Sequence, residues 1–334
     1  NFSHTLTHPE FGYVTAQGEY APRTKKMRYV LRKKEFDYSS GVTLFTDNFL
    51  DKDIISSVQS PIKIGWIQEP PVVHGHVYEK ISSFVGELDY LFTFSKELAE
   101  KYENCIELPW CFLRVGEEDW GIHKKTKTVS MVASDKSWAP GHILRHKIAD
   151  QLSQKYKIDL WGAGYNKFPS LGKSLALNDY MYSIVVQNSQ VDTFFTDFVD
   201  PLITGTVPIF WGTKEVCNIF NPDGIILFNT LEELDDILSK IGEGDYLSRM
   251  EAIKENFEIA KKISIICPTH RRSALQSRFA DCVFSNCSDI NNCEIVFGID
   301  TDDNEALDTA SALAEKYGTD QIKVCKINPG EKIP

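Results

Sequence analysis

Two runs of β-branched and aromatic residues, 183–186 and 207–211, stand one helix length apart within residues 180–224, and each stops abruptly at polar residues. The first ends at Gln187-Asn188-Ser189 and the second at Gly212-Thr213. Short runs of this kind separated by a helix-length segment predict a βαβ unit. Parallel strands open their carboxyl ends onto ligand crevices, so both polar stops fall where an open α/β sheet takes its substrate.

With 334 residues the chain is long enough for two or three domains, at roughly 100 to 200 residues per domain. A net charge of −11 argues against a nucleic-acid partner, because phosphate binding needs a positive surface. No apolar run reaches the length of a membrane span, and the N-terminus lacks an apolar signal segment. The eight cysteines include no C-x-x-C pair, so no zinc framework is expected. Cys282, Cys287 and Cys293 cluster but read as small buried hydrophobes. Reduced thiols in a cytoplasmic compartment are the simplest reading, and no metal site is expected.

Between 41 and 109, short apolar runs at 42–45, 62–67, 90–94 and 105–108 alternate with helical stretches at 77–85 and 96–102, the second opened by Ser95 as N-cap. This reads as an α/β domain over 1–115. Residues 116–127 are polar and charged and read as a linker. A second α/β domain, 128–245, carries strands at 129–133, 158–161, 183–186, 207–211 and 225–228. Its helices fall at 141–156 and 231–241, the latter opened by a Thr230/Glu233 capping box. A connecting helix at 246–262 presents Met250, Ile253, Phe257 and Ala260 on one face. It leads into a third unit, 263–334, with strands at 263–267 and 294–299 and a polar Pro268-Thr269-His270-Arg271-Arg272 stop.

Several residues carry chemistry. Glu69 precedes Pro70-Pro71 after the run 63–67, which puts a carboxylate on a stiffened backbone at a strand's carboxyl edge. A solvated loop glutamate has the same local sequence. His74 and His76 follow, with no carboxylate at ligand spacing to make them a metal pair. Ser134 ends the strand 129–133, and Arg145 lies on the next helix. A guanidinium there can fork onto a diphosphate and stabilise the charge on a leaving nucleotide. Gly162 and Gly164 follow a strand, where glycine either lets the backbone approach a ligand or makes a tight turn. Asp300-Thr301-Asp302 has the D-x-D pattern of a metal-diphosphate bridge, and an acidic turn capping a helix at 305–316 explains the same residues.

Gln187-Asn188, Thr196-Asp197, the run Val207-Pro208-Ile209-Phe210-Trp211-Gly212 and Phe220-Asn221-Pro222 share their order and spacing with a known family. This constellation resembles the α1,3/4-fucosyltransferases, whose donor domain carries Glu-Asn, Thr-Glu-Lys, Val/Ile-Pro-Ile-Tyr-Trp-Gly and Phe-Asn-Pro. The resemblance covers roughly 62–262. It implies two Rossmann-like α/β domains in a GT-B arrangement, facing each other across a cleft, with acceptor on the first and donor on the second. It implies inverting, metal-independent transfer without a cofactor, from a nucleotide sugar, GDP-fucose in the family, to a glycan acceptor. By the same resemblance Glu69 is the catalytic base and Arg145 the diphosphate ligand. Asn188, Thr196 and Asp197 fall in the family's nucleotide-holding region, with Asp197 able to accept from ribose hydroxyls or to serve simply as a helix-start carboxylate. Ser134, Gly162 and Gly164 join them as donor-binding candidates by their places after strands.

Two departures stand out. Gln187 replaces the family's Glu, and the family's phosphate-binding Lys is missing. Counting forward from Asn188 places Phe198 at that Lys, and counting back from Pro208 shifts the match by one residue. Lys147 or Lys214 then becomes the substitute cation, or the donor is a different nucleotide sugar, or the scaffold is a degenerate glycan-binding module without transfer. The third unit resembles the opening βαβ of a GT-A glycosyltransferase. The chain ends before such a domain closes, so a truncated GT-A-like unit is expected there, and the activity of the intact protein residing in it is a further alternative.

Overall fold

The apolar runs become parallel strands, and the polar residues that stop them lie at strand ends. The computed structural model describes residues 6–8, 12–14, 42–111, 113–165, 172–261, 263–269, 276, 277, 280, 281, 284, 293–300 and 302–327. The chain divides into two compact units, residues 1–93 with 97–106 and residues 94–96 with 107–334.

In the first unit, β1 (Leu6–His8) pairs antiparallel with β2 (Gly12–Val14). There follow β3 (Val42–Thr46), α1 (Lys52–Ser56), β4 (Ile62–Trp66), α2 (Pro71–Phe84), β5 (Tyr90–Thr93), α3 (Lys96–Lys101) and β6 (Cys105–Glu107). The sheet order is β3-β4-β5-β6, with β3/β4 and β4/β5 parallel. Val77, Ile81 and Phe84 form the buried face of α2 at helical spacing. That face predicts a helix from 77. The helix begins six residues earlier because Pro71 occupies its first turn, where a missing N–H costs nothing.

The second unit carries β7 (Lys127–Val132), α4 (Pro140–Gln151), α5 (Ser153–Tyr156), β8 (Asp159–Trp161), β9 (Tyr180–Val186), α6 (Val199–Leu202), β10 (Val207–Trp211) and β11 (Ile226–Leu227). It continues with α7 (Leu231–Lys240), α8 (Glu243–Ser248) and α9 (Met250–Lys261). All pairs are parallel, in the order β11-β10-β9-β7-β8. β9 sends Tyr182, Ile184 and Val186 into one core with Met131 and Ile209, and Val185 into another with Phe198, Phe210 and Phe220. Alternation along a strand covered on both faces produces this split.

Several expectations change, among them the connecting helix at 246–262, which is parted at Arg249 into α8 and α9. The segment between β9 and β10 is largely irregular, with only the short α6, because its backbone bonds elsewhere. Trp110 N–H donates to the Thr193 carbonyl at 2.9 Å and Phe195 N–H to the Trp110 carbonyl at 3.0 Å. The helix predicted at 141–156 breaks at Leu152, where the Ser153 hydroxyl donates to the Ala149 carbonyl at 2.5 Å and competes with the helical ladder. The predicted linker 116–127 is anchored. The Lys125 ammonium is buried and donates to the carbonyls of Leu177, Asn178 and Thr204 and to the Thr206 hydroxyl, at 2.8 to 3.3 Å. Burial pushes it down to about 7, and these oxygens compensate for the water it loses. At α7 the Thr230 hydroxyl accepts from Glu233 N–H as expected. The Glu233 carboxylate, however, accepts from Asn229 N–H rather than from that of Thr230.

A separate sheet follows, with parallel order β12-β13-β14 formed by Ile263–Thr269, Cys293–Asp300 and Ile322–Ile327, and with α10 (Asn304–Tyr317) between the last two. Asp303, the residue after the D-x-D triplet, caps α10 by accepting from Ala306 N–H at 3.1 Å. His270, Arg271, Arg272, Thr301, Cys282 and Cys287 lie outside the described residues. No described helix is long and apolar enough to cross a membrane, and no described group of His, Cys, Asp and Glu has the geometry of a metal site.

Candidate active site

Strand order reverses between β7 and β9, because β7 neighbours β8 on one side and β9 on the other. Ligands of open parallel sheets bind at such a switch point, outside the strands' carboxyl ends. Ser134, partly exposed, follows β7 there, and Gln187-Asn188 follow β9. The first turn of α4 lies directly on the end of β9. Gly141 N–H donates to the Asn188 carbonyl at 3.1 Å, and a Cβ on Gly141 would sit 1.6 Å from the Gln187 carbonyl oxygen. Only a residue without a side chain permits this approach.

Arg145, one turn further along α4, is buried, and its Nε donates to the Val186 carbonyl at 2.9 Å, with Nη2 donating to the same oxygen. Around it gather charges from distant parts of the unit. Asp197 Oδ1 accepts from Lys173 Nζ at 2.5 Å and from Arg114 Nη1 at 3.0 Å. Asp200 Oδ2 accepts from Lys173 Nζ at 2.9 Å, while its Oδ1 accepts from Arg114 N–H at 2.7 Å. Burial lowers the Arg145 guanidinium, with Asp197 opposing and Arg114 reinforcing that shift. Burial would raise the Asp197 carboxyl, but Lys173, Arg114 and Arg145 outweigh it and hold the group well below the usual carboxylate range. Three cations surround two carboxylates, leaving one net positive charge in a site largely withdrawn from water.

This arrangement sets an acid limit. A carboxyl depressed in the fold contributes stability that is complete above its unfolded value, near 4, and is lost as pH falls below it. Between pH 7 and about 3.5, wild-type protein is expected to lose more of its urea midpoint than Asp197→Asn, and equal losses would disprove the coupling.

The sequence-derived residues fare differently. Arg145, Asn188, Thr196 and Asp197 come together around the end of β9. Thr196 Oγ1 donates to Gln187 Oε1 at 3.2 Å, which fixes the amide and leaves buried Gln187 Nε2 without a partner among the described residues. Gly162 has φ +104, and a Cβ there would meet the Ala133 carbonyl oxygen at 2.1 Å, so its glycine serves the β7/β8 junction rather than a ligand's approach. Gly164, φ +89, makes an open turn beside Asp135. Phe198, at the place of the family's lysine, is fully buried with its ring 4.7 Å from that of Phe210 and 5.5 Å from that of Phe220. The proposed substitutes Lys147 and Lys214 are exposed, and the cations beside Asp197 are instead Lys173 and Arg114. Neither sits in a pattern that marks it, so sequence reasoning had no signal for them.

In the first unit, Glu69 lies three residues past β4 and is partly buried. Its N–H donates to Asp47 Oδ1 at 3.2 Å, and its carbonyl accepts from the Tyr78 hydroxyl at 3.0 Å. Asp47 also accepts from Gln68 N–H at 2.9 Å. His74 is buried on α2, its Nδ1 has no partner among the described residues, and burial lowers its imidazole against the pull of Asp47.

Residues 122–279 match the family model described as Glycosyltransferase family 10 (fucosyltransferase) C-term. That segment contains the switch point, Arg145, Lys173, Asp197 and Asp200, while Arg114 lies before it. The chain is an enzyme of the glycosyltransferase class, with its likeness to the fucosyltransferases. Among solved structures, a crystal structure of an α1,3-fucosyltransferase is similar at 13% identity and a TM-score of 0.39, over 67% of this chain and 84% of that one. No curated protein sequence matches the chain.

Proposed function

We propose that this enzyme transfers a sugar, fucose by family likeness, from a GDP-sugar to a glycan hydroxyl with inversion at the anomeric carbon. The observation that carries the reading is the gathering of Arg145, Arg114 and Lys173 around Asp197 at the β7/β9 switch point. Arg145 gives two N–H groups to Val186, and its remaining donors serve phosphate oxygens. Guanidinium and ammonium groups held in a dry site stabilise charge as it develops on the departing diphosphate, so the reading assigns this work to side chains and takes no metal. Asn188 and Ser134 supply polar groups at the strand ends, and Asp197 offers its second oxygen to a ribose hydroxyl. In this reading the Glu69 carboxylate removes the acceptor's hydroxyl proton. That oxygen bonds to the anomeric carbon while the bond to the diphosphate breaks, and GDP leaves with the bonding pair. A GT-B arrangement, a GT-A-like character for the β12-β13-β14 unit and a cytoplasmic location belong to the same proposal.

The burial of Phe198 favours one second reading, a module that binds nucleotide sugar or glycan without transferring. Calorimetry with GDP, UDP and guanosine, followed by GDP release from GDP-fucose with an oligosaccharide pool, separates the two. GDP is expected to bind, and turnover is expected to require acceptor. Glu69→Gln is expected to lower kcat at least about 100-fold with GDP affinity unchanged. Glycan binding without turnover selects the second reading, and indifference to every GDP compound overturns the donor assignment.

A further inference from the structure

Two described non-glycine residues have left-handed backbone, Asp47 (φ +40) and Lys157 (φ +52). Lys157 ends α5, where that conformation is routine. Asp47 has no such reason. It follows β3, is only 6% exposed, and spends its carboxylate on the backbone of another strand's terminal loop. Strained backbone in a buried polar position persists where the surroundings over-determine it, most often at functional sites.

The loop it holds is the one that carries Glu69, and successive backbone groups of that loop are bonded. Gln68 N–H and Glu69 N–H both converge on Asp47 Oδ1, the Glu69 carbonyl takes the Tyr78 hydroxyl, and the Pro70 carbonyl takes the N–H groups of Val73 and His74 at 2.8 and 3.1 Å. A second irregularity lies beside the first. His74 departs from helical geometry inside α2 (φ −126, ψ 52) and interacts electrostatically with Asp47. Such spending of strain on two successive peptide groups is out of proportion to capping one strand.

We infer that Asp47 is a positioning residue for the Glu69 carboxylate, its Oδ1 pinning the 68–69 peptide groups so that the side chain emerges in one direction. The inference rests on the transfer reading, in which Glu69 is the base. A displacement of about 1 Å in a catalytic group costs on the order of 100-fold in rate, so loss of the pin is read in kcat.

Three single variants and one double variant test it by GDP release from GDP-fucose with an oligosaccharide pool as acceptor. Asp47→Gly accepts φ +40 without strain but removes the acceptor oxygen, and its kcat is expected to fall about 30- to 100-fold with KM for GDP-fucose within about twofold. Its urea midpoint is expected to stay close to wild type. Asp47→Asn keeps an acceptor oxygen and tolerates left-handed backbone, and is expected to restore kcat to within about threefold of wild type. Tyr78→Phe removes the hydroxyl that holds the next peptide group, through the Glu69 carbonyl, and is expected to lower kcat about 3- to 10-fold. Adding Asp47→Gly to Glu69→Gln is expected to cause no further loss. A full multiplicative loss in that double variant, or Asp47→Gly turning over like wild type, overturns the positioning role. A wild type without turnover overturns the transfer reading instead.

Discussion

Alanine at position 141 is expected to lower stability by about 3 kcal/mol, and to remove GDP binding with it. Inside an ordinary helix the same change stabilises by up to about 1 kcal/mol, because alanine has less backbone freedom to lose. Here the added carbon would lie 1.6 Å from the Gln187 carbonyl oxygen, which is backbone and cannot swing aside. Either the first turn of α4 lifts off β9 or the end of β9 moves, and both displace Arg145 from the Val186 carbonyl. The expected fall in Tm is about 6 to 12 °C, at about 2 to 4 °C per kcal/mol for a unit of this size. Gly244→Ala is the control. It also lies in a helix, but nothing stands within 4 Å of its added carbon. If both variants melt together, the close approach at Gly141 is not what shapes the site.

Replacing Lys173 by methionine is expected to cost about 3 to 5 kcal/mol, because the variant leaves buried carboxylates without their shared cation. The Asp200 side chain is 2% exposed and that of Lys173 14%, so water cannot take over the lost pairing. Urea unfolding at pH 7 measures the loss, and adding Asp200→Asn to the same variant is expected to recover about half of it by removing one stranded charge. Arg114→Gln tests binding without that complication. Its side chain is 36% exposed, so the fold is expected to change by less than about 1 kcal/mol. GDP affinity should fall about 10-fold or more, the worth of one charge-assisted contact. Unchanged GDP affinity in Arg114→Gln would detach the 114/173/197 cluster from the nucleotide.

The strands and their polar stops were legible because they are local. The apolar runs at 183–186 and 207–211, the turn residues after each run, and the cap at Thr230 follow from neighbours a few positions away. Arg145 and Asp197 were legible through the family-like spacing around them. The irregular crossover before β10 was not, since its hydrogen bonds go to Trp110, some 80 residues earlier in the chain. Gly141 and Asp47 look ordinary in sequence, and only the carbonyl or amides brought against them reveal why those residue types stand there.

By itself the order of residues determined a parallel α/β chain with polar groups at its strand ends, because burial of apolar periodicity is a short-range matter. Only the tertiary structure decided which charges meet there. Lys173 and Asp197 lie 24 residues apart and Arg114 and Asp197 83 apart, and nothing between them in sequence links one to the other. Coulomb attraction acts through space and grows as water is excluded, so charges from distant segments meet once the chain has folded.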